Sequence, residues 1–192
     1  RGVPGTHDVN IMLDFFKRIK RKNFKSLKLP KFNKAIDDRY SNNLWYSVKK
    51  RPDIIIFEGW CVGAKAEKTI TLKKSINSLE KFKDKELTWR RYVNKQLQSK
   101  YKQLYDQLNC LLYINSNNFS LLRKWRIKQE KKLRLINQRS NSHKIMSNKE
   151  VISFMQTYQR VTINMLKTLP KYASIILNLN NNHQIKSVIY NK

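Results

Sequence analysis

The most informative segment of the chain runs Asp53-Ile-Ile-Ile-Phe-Glu-Gly-Trp-Cys-Val-Gly63. Residues 53–57 follow Pro52 and predict a short strand that is buried on both faces of a parallel sheet. Glu58 then stands at the carboxyl end of that strand, where ligands bind in such sheets. An acid in this place is typical of a Walker-B arrangement, in which the carboxylate holds Mg²⁺ or an Mg²⁺-bound water beside nucleotide phosphates. A solvated residue or a helix cap is the alternative interpretation of Glu58.

Strands and helices alternate along the rest of the chain. Helices are predicted after an Asp8 N-cap, from about 86 to 108, from 118 to about 138, and from the capping box Ser147-x-x-Glu150 to about 169. Further strands are predicted over residues 110–114, 174–179 and 184–190, and residues 30–40 have no clean period and predict a loop. The pattern indicates one α/β domain over residues 1–192, with a mainly parallel sheet flanked by helices.

The net charge of the chain raises the possibility of a nucleic-acid partner. Lys and Arg number 41 against 13 Asp and Glu, which gives a formal charge of +28 in 192 residues. Such a charge is typical of nucleic-acid binding proteins. However, the lysines are spread from Lys17 to Lys192 without an RNP-type, zinc-knuckle or helix-turn-helix pattern, so compositional drift is the favoured explanation. An RNA-binding protein without enzymatic activity remains the alternative function.

Length and composition exclude other classes. No apolar run approaches the roughly 20 residues that a membrane span needs, and there is no signal peptide, so we expect no membrane partner and a cytoplasmic location. Cys61 and Cys110 are too few for a disulfide framework and are expected to be reduced thiols.

Glycine is scarce, and its positions mark two candidate site segments. All four glycines lie in Arg1-Gly-Val-Pro-Gly-Thr-His-Asp8 and in Glu58-Gly-Trp-Cys-Val-Gly63. Glycine is retained where the backbone needs a positive φ or approaches a ligand closely. In the first segment His7 or Asp8 could bond a substrate hydroxyl, and the following helix N-terminus could face an anion. The alternative is that Asp8 only caps the helix.

The basic helix from residue 118 carries a candidate anion site. Arg123 and Arg126 are three residues apart, so they share a face and could meet one anionic group as a lid over phosphates. The alternative is a solvated basic helix in which Arg126 and Glu130 form an ordinary i,i+4 pair.

Seven ordered motifs together resemble a known family, the D-glycerate 3-kinase-like P-loop kinases, which are similar to uridine kinase, pantothenate kinase and phosphoribulokinase. Besides the two glycine segments, the resemblance rests on Phe32-Asn-Lys-Ala-Ile-Asp-Asp-Arg39, Asn77-Ser-Leu-Glu80, Trp89-Arg-x-Tyr-Val-Asn94, Trp125-Arg-x-Lys-Gln-Glu130 and Met146-Ser147.

The resemblance implies the P-loop kinase fold and transfer of the ATP γ-phosphate, with Mg²⁺, to a hydroxyl of a small acid. It implies Glu58 as the Walker-B acid on Mg²⁺ and Asp8 as a second catalytic residue. It places Arg123 and Arg126 in the lid over the nucleotide. The residues that it places at the acceptor are Arg1, Thr6, His7, Lys34 and Arg39. The excess of cations there suits an acceptor with a carboxylate, while uridine or pantothenate kinase-like activity is the alternative within the class.

One departure from the family is large. None of the four glycines fits the Walker A pattern Gly-x-x-x-x-Gly-Lys-Ser/Thr, which the family places before the Arg1 segment. We therefore expect a C-terminal portion of a kinase in which the first strand, the P-loop and the second strand are absent. The strands at 53–57 and 110–114 would then flank a gap. On this interpretation the chain alone should neither transfer phosphoryl groups nor fold stably.

Overall fold

The computed structural model describes residues 2–33, 36, 38–136 and 146–191. Contacts within the chain divide it into two compact units. One unit spans Asp8–Trp60, and the other combines Arg1–His7 with Cys61–Lys192. The single domain expected over residues 1–192 stays a prediction.

The smaller unit contains one helix and four short strands, namely α1 (Val9–Ile19), β1 (Leu27–Leu29), β2 (Phe32–Asn33), β3 (Asp38–Arg39) and β4 (Tyr46–Val48), with a 3₁₀ turn at Asn42–Leu44. Helix α1 begins as predicted, because Oδ1 of Asp8 accepts a hydrogen bond from the N–H of Ile11 at 3.4 Å. Its apolar face buries Val9, Phe16 and Ile19, so the spacing that predicted the helix also forms the core of this unit.

Two antiparallel strand pairs complete the unit. Strand β1 pairs with β4, and β2 pairs with β3. The second pair lies within residues 30–40, which the sequence predicted as a loop. Its register sets Phe32 opposite Arg39, so this short ladder fixes the backbone of a candidate site residue.

The prediction of a buried strand over residues 53–57 is wrong. No strand includes these residues, and the side chains of Ile54 and Ile56 are 80% and 87% exposed. A strand forms only where a neighbouring backbone can pair with it, and none of the strands in the described parts of the chain pairs with this run. The β-branched composition of this run did not predict a strand correctly, because composition does not identify a pairing partner.

The larger unit holds the remaining helices and the main sheet. Its helices are α2 (Ser78–Lys83), α3 (Thr88–Gln98), α4 (Lys100–Tyr105), α5 (Phe119–Ile136) and α6 (Asn148–Thr168), with 3₁₀ turns at Thr69–Lys73 and Leu169–Lys171. The capping box at Ser147 and Glu150 is present as predicted. The helix predicted from 86 to 108 is divided at Ser99, whose hydroxyl donates to the carbonyl of Lys95 at 2.9 Å and competes with the helical pattern.

A three-stranded sheet lies in this unit, made of β5 (Leu112–Asn115), β6 (Ile175–Leu179) and β7 (Ile185–Tyr190). Strand β5 is parallel to β6, and β7 is antiparallel to β6. The α/β class is thereby confirmed, although parallel pairing within the described residues is confined to β5 and β6. Strand β5 is an edge strand with only Tyr113 buried, so it is half covered rather than buried on both faces.

The core of the larger unit lies beneath α4 and α6, where Leu104, Val151, Leu169 and Ala173 are almost completely buried. No helix in the described ranges has the length and apolar character needed to cross a bilayer. Cys61 is buried, Cys110 is exposed, and both are free thiols.

Candidate functional site

Two of the predicted site residues in the smaller unit contact one another. Oδ2 of Asp8 lies 3.2 Å from Nη1 of Arg39, and both side chains are close to half exposed. Oδ1 of the same carboxylate caps α1 through Ile11. Asp8 therefore acts as a cap, as the alternative interpretation proposed, and at the same time forms an ion pair that holds a guanidinium at the helix N-terminus.

Glu58 follows the exposed isoleucine run, and its side chain is exposed. The preceding residue, Phe57, packs edge-on against Phe16 of α1 with ring centroids 5.9 Å apart. This contact anchors the segment in the smaller unit and leaves the carboxylate of Glu58 in solvent.

The first glycine segment, residues 2–7, folds as a tight turn in the larger unit. The N–H and the hydroxyl of Thr6 both donate to the carbonyl of Val3, at 3.1 and 2.8 Å. Gly5 has a φ of +102°, and a Cβ there would lie 2.4 Å from a ring carbon of Tyr92. Glycine is required at this position both for the backbone conformation and for space.

Two tyrosines hold this glycine segment. The N–H of Gly5 donates to the phenolic oxygen of Tyr101 at 2.9 Å, and the hydroxyl of Tyr92 donates to the Gly5 carbonyl at 3.0 Å. Nδ1 of His7 lies 2.6 Å from the same Tyr101 oxygen. Burial lowers the pKa of His7, so the imidazole favours its neutral form.

Two predicted acceptor residues, Arg1 and Lys34, lie outside the described residues. Their proposed contacts with the acceptor stay predictions.

The candidate lid residues lie on α5. Arg123 is exposed, while Arg126 is partly covered and forms an ion pair with the buried Glu130 at 2.5 Å. The i,i+4 pair that the sequence allowed is therefore present. Because Glu130 is only 4% exposed, it fixes the direction of the Arg126 guanidinium more firmly than a surface partner would.

A cleft of about 520 Å³ lies between α5, α6 and the turn between β6 and β7. Aromatic and cationic side chains line it together, among them Trp125, Arg126, Lys128, Lys132, Tyr158 and His183. The Trp125 and His183 rings are 4.1 Å apart, and the Trp125 indole N–H donates to the carbonyl of Asn181 at 3.0 Å. We call this the α5–α6 cleft; its volume lies within the range of small-molecule sites.

The sequence did not identify His183 or Tyr101 as candidate site residues. His183 is indeed exposed, but a positive φ of 65° turns it towards Trp125. The Asn180-Asn181-Asn182 run was the only available signal for such a turn. Tyr101 lies within the helix predicted from about 86 to 108, and nothing local in the sequence shows that its hydroxyl reaches the glycine segment.

No group of three or more His, Cys, Asp or Glu gathers as a metal site in the part of the chain that the structure describes. Mg²⁺ commonly keeps several waters and binds one or two carboxylates together with substrate phosphates. A single exposed carboxylate such as Glu58 is compatible with that mode of binding.

Comparisons with curated proteins find kinase relatives. The chain is 26% identical over 175 residues to the uncharacterized kinase mug58 of Schizosaccharomyces pombe, covering 88% of this chain and 60% of that protein. It is also 26% identical over 164 residues to the chloroplastic D-glycerate 3-kinase of Arabidopsis thaliana, covering 82% of this chain and 32% of that enzyme. The chain thus spans less than two thirds of the length of either relative. No protein-family model matches the chain.

Solved structures share the fold along nearly the whole chain. The D-glycerate 3-kinase of Cryptococcus neoformans var. grubii superposes with a TM-score of 0.76 at 20% identity, covering 99% of this chain and 69% of that one. The YGR205w protein superposes with a TM-score of 0.71 at 22% identity, covering 98% and 66%. The fold inferred from the motifs is confirmed, and so is the resemblance, since the relatives and the structural neighbours of the chain are D-glycerate 3-kinase-like proteins.

Proposed function

We propose that the chain is part of an ATP-dependent kinase. This kinase would transfer the γ-phosphoryl group to a hydroxyl of a small hydroxy acid, with D-glycerate as the first candidate acceptor. The observation that carries the proposal is the α5–α6 cleft, where aromatic rings and cations occur together. Aromatic faces stack with a nucleobase, and guanidinium and ammonium groups bind phosphate oxygens. The kinase relatives favour ATP as the nucleotide.

Within this proposal Trp125 and His183 contact the base, and Arg126 is the lid residue that faces phosphate. The Trp125–Asn181 hydrogen bond joins α5 to the turn after β6, which holds the two aromatic rings in place before ligand binds. The exposed Arg123 is retained as a second lid cation.

The acceptor residues form the other half of the proposal. The Asp8–Arg39 pair offers a carboxylate to a hydroxyl and a guanidinium to an acid group. Thr6 and His7 are retained as acceptor residues from the sequence prediction. Lys34 and Arg1 are retained with them. Glu58 would hold Mg²⁺, directly or through water, and the ion would neutralise charge on the ATP phosphates.

Fluorescence titration of the product of the complete reading frame with Mg·ATP tests the nucleotide half of the proposal. We expect Trp125→Phe to remove most of the ligand-dependent change in emission and Trp125→Ala to weaken binding about tenfold, since stacking contributes about 1–3 kcal/mol. Trp89→Phe is the matched control, because Trp89 is 44% exposed and stacks on Tyr92 outside the cleft. Equal effects of Trp125→Phe and Trp89→Phe would remove the cleft from the proposal.

A coupled ADP-release assay tests the reaction. It compares D-glycerate, uridine, pantothenate and ribulose 5-phosphate, using the 192-residue chain and the product of the complete reading frame that encodes it. We expect turnover with glycerate by that product and none by the 192-residue chain, whose glycines do not fit Walker A. Turnover with uridine or pantothenate would favour the alternative kinases, and no turnover with any acceptor would refute a kinase.

A further inference from the structure

A single phenolic oxygen joins two parts of the glycine segment. Tyr101 lies on α4 and is only 2% exposed. Its hydroxyl oxygen lies 2.9 Å from the backbone nitrogen of Gly5 and 2.6 Å from Nδ1 of His7. The buried hydroxyl of Tyr101 thus contacts two residues of the segment and helps to order residues 2–7.

The direction of these bonds follows from counting hydrogens. A backbone N–H can only donate, so the Tyr101 oxygen accepts from Gly5. The phenol then has one hydrogen to donate, and Nδ1 of His7 lies within hydrogen-bonding distance of it. A phenol that donates to Nδ1 requires a neutral imidazole with its own hydrogen on Nε2, and this is the tautomer that we assign. The ring is also hydrogen-bonded to the backbone of Gly2, so it ties both ends of the segment together.

A second tyrosine fixes the other side of the same glycine. The Tyr92 hydroxyl donates to the Gly5 carbonyl at 3.0 Å, while Tyr101 holds the Gly5 N–H. The positive φ of Gly5 is thus held by hydrogen bonds at both of its backbone polar groups. Such a turn is ordered before any ligand arrives.

We propose that Tyr101 is a positioning residue for acceptor binding, which acts by holding Gly5 and His7 in one geometry. The proposal rests on the proposed function, because only that function makes the glycine segment part of an acceptor site. Tyr101 itself is buried beneath the segment and is not expected to touch the acceptor.

The ionisation of both partners favours the same arrangement. Burial lowers the pKa of His7 and raises the pKa of Tyr101, as does the proximity of Cys61 and Tyr92. A neutral imidazole and a neutral phenol are the two forms that the hydrogen bond requires, so both are populated at neutral pH.

Tyr101→Phe tests the proposal, and Tyr105→Phe is its matched control. Tyr105 lies on the same helix, packs edge-on against Tyr101 and donates its hydroxyl to the carbonyl of Cys61 at 2.6 Å. Each variant removes one buried phenolic hydroxyl, but only Tyr101→Phe removes the contact with the glycine segment. Imidazole nitrogen chemical shifts, recorded on the product of the complete reading frame, should show the Nε2–H tautomer of His7 in the parent and in Tyr105→Phe. Tyr101→Phe should show mixed tautomers and a His7 pKa nearer 6.5. A parent with the hydrogen on Nδ1, or equal shifts in both variants, would overturn the assignment.

Steady-state kinetics of the complete product test the consequence for the acceptor. We expect Tyr101→Phe to raise the KM for D-glycerate about tenfold, because two hydrogen bonds of ordinary strength are lost. The Kd for Mg·ATP should stay within about twofold in both variants, and Tyr105→Phe should leave the acceptor KM unchanged. An equal KM in the parent and in Tyr101→Phe would refute the positioning role. If the parent has no turnover with any acceptor, the proposed function fails, while the tautomer measurement still decides whether Tyr101 orders the segment.

Discussion

The side-chain amide of Asn94 forms two hydrogen bonds with the backbone of Glu67. Its Oδ1 accepts from the Glu67 N–H at 2.8 Å, and its Nδ2 donates to the Glu67 carbonyl at 3.0 Å. Asn94 is buried on α3, whereas Glu67 lies in a segment without regular structure. The amide thus satisfies backbone groups that no helix or strand pairs, which explains why an amide rather than an apolar residue ends the motif at 89–94.

Asn94→Asp should destabilise the larger unit by about 2 kcal/mol at pH 7. The carboxylate keeps the shape and still accepts from Glu67, but it cannot donate to the Glu67 carbonyl and it places a charge in a buried position. Chemical denaturation measures the loss. Asn109→Asp makes the same chemical change at an exposed position and should cost less than about 0.5 kcal/mol. Equal losses in the two variants would contradict this account.

Glu80 joins two arginines inside the same unit. It lies 3.1 Å from Arg90 and 2.6 Å from Arg160, and all three side chains are at least nine-tenths buried. Burial raises the pKa of Glu80, but hydrogen bonds from Arg160 and the Ile76 N–H and the charges of both arginines outweigh it. The pKa therefore lies below its ordinary value of 4.5. Because the folded-state pKa is depressed, the stabilisation is present above pH 4.5 and is lost as the pH falls through the folded value.

Glu80→Gln should cost about 2 kcal/mol at pH 7, because two buried guanidinium groups lose their shared counter-charge. The cost is limited because Arg90 still pairs with Asp84 at 3.1 Å and Arg160 with Glu67 at 3.3 Å. The slope of stability against pH below 4.5 should become shallower in this variant, as followed by urea denaturation between pH 3 and 7. Glu86→Gln is the control, since it makes the same chemical change at an exposed position outside this network. An unchanged slope in Glu80→Gln would show that other carboxylates govern the acid transition.

Gly5→Ala should disrupt the glycine segment for two separable reasons. The φ of +102° is unfavourable for alanine, and its Cβ would lie 2.4 Å from Tyr92. We expect a loss of about 1–3 kcal/mol from the backbone conformation alone, in addition to the cost of moving the ring. In the background of Tyr92→Ala, which removes the ring, Gly5→Ala should be less costly but still unfavourable. Denaturation of the four-member double-mutant cycle measures both contributions, and strict additivity would show that the Tyr92 contact is irrelevant.

The sequence predicted correctly those features in which the two bonded residues lie three or four positions apart in the chain. The Asp8 cap and the Ser147–Glu150 capping box both formed, because each bond spans three residues. The Arg126–Glu130 pair was foreseeable for the same reason. In contrast, residues 53–57 were predicted as a strand from composition, although a strand depends on a partner that composition cannot identify.

The candidate site was only partly predictable for a related reason. The sequence identified the glycine segment, because rare glycines mark unusual backbone conformations. It could not show that Tyr101 would meet His7 or that His183 would meet Trp125, because both contacts join distant parts of the chain. Such contacts depend on tertiary packing. The period of an apolar face predicts that a side chain is buried, but it does not predict which residues that side chain contacts.

The last prediction concerns the charge of +28. If the cations reflect compositional drift, binding to mixed-sequence RNA should be weak at physiological salt, with a Kd of about 10⁻⁵ M, and should fall steeply with added salt. Filter binding compares Lys124→Gln/Lys131→Gln, which neutralises two exposed lysines of α5, with Lys83→Gln/Lys95→Gln, which neutralises two exposed lysines elsewhere in the larger unit. Non-specific binding, in which every exposed lysine contributes equally, predicts the same small loss of affinity for both double variants. A nanomolar Kd in the parent, or a loss confined to the α5 pair, would instead establish a defined nucleic-acid face and favour the RNA-binding alternative.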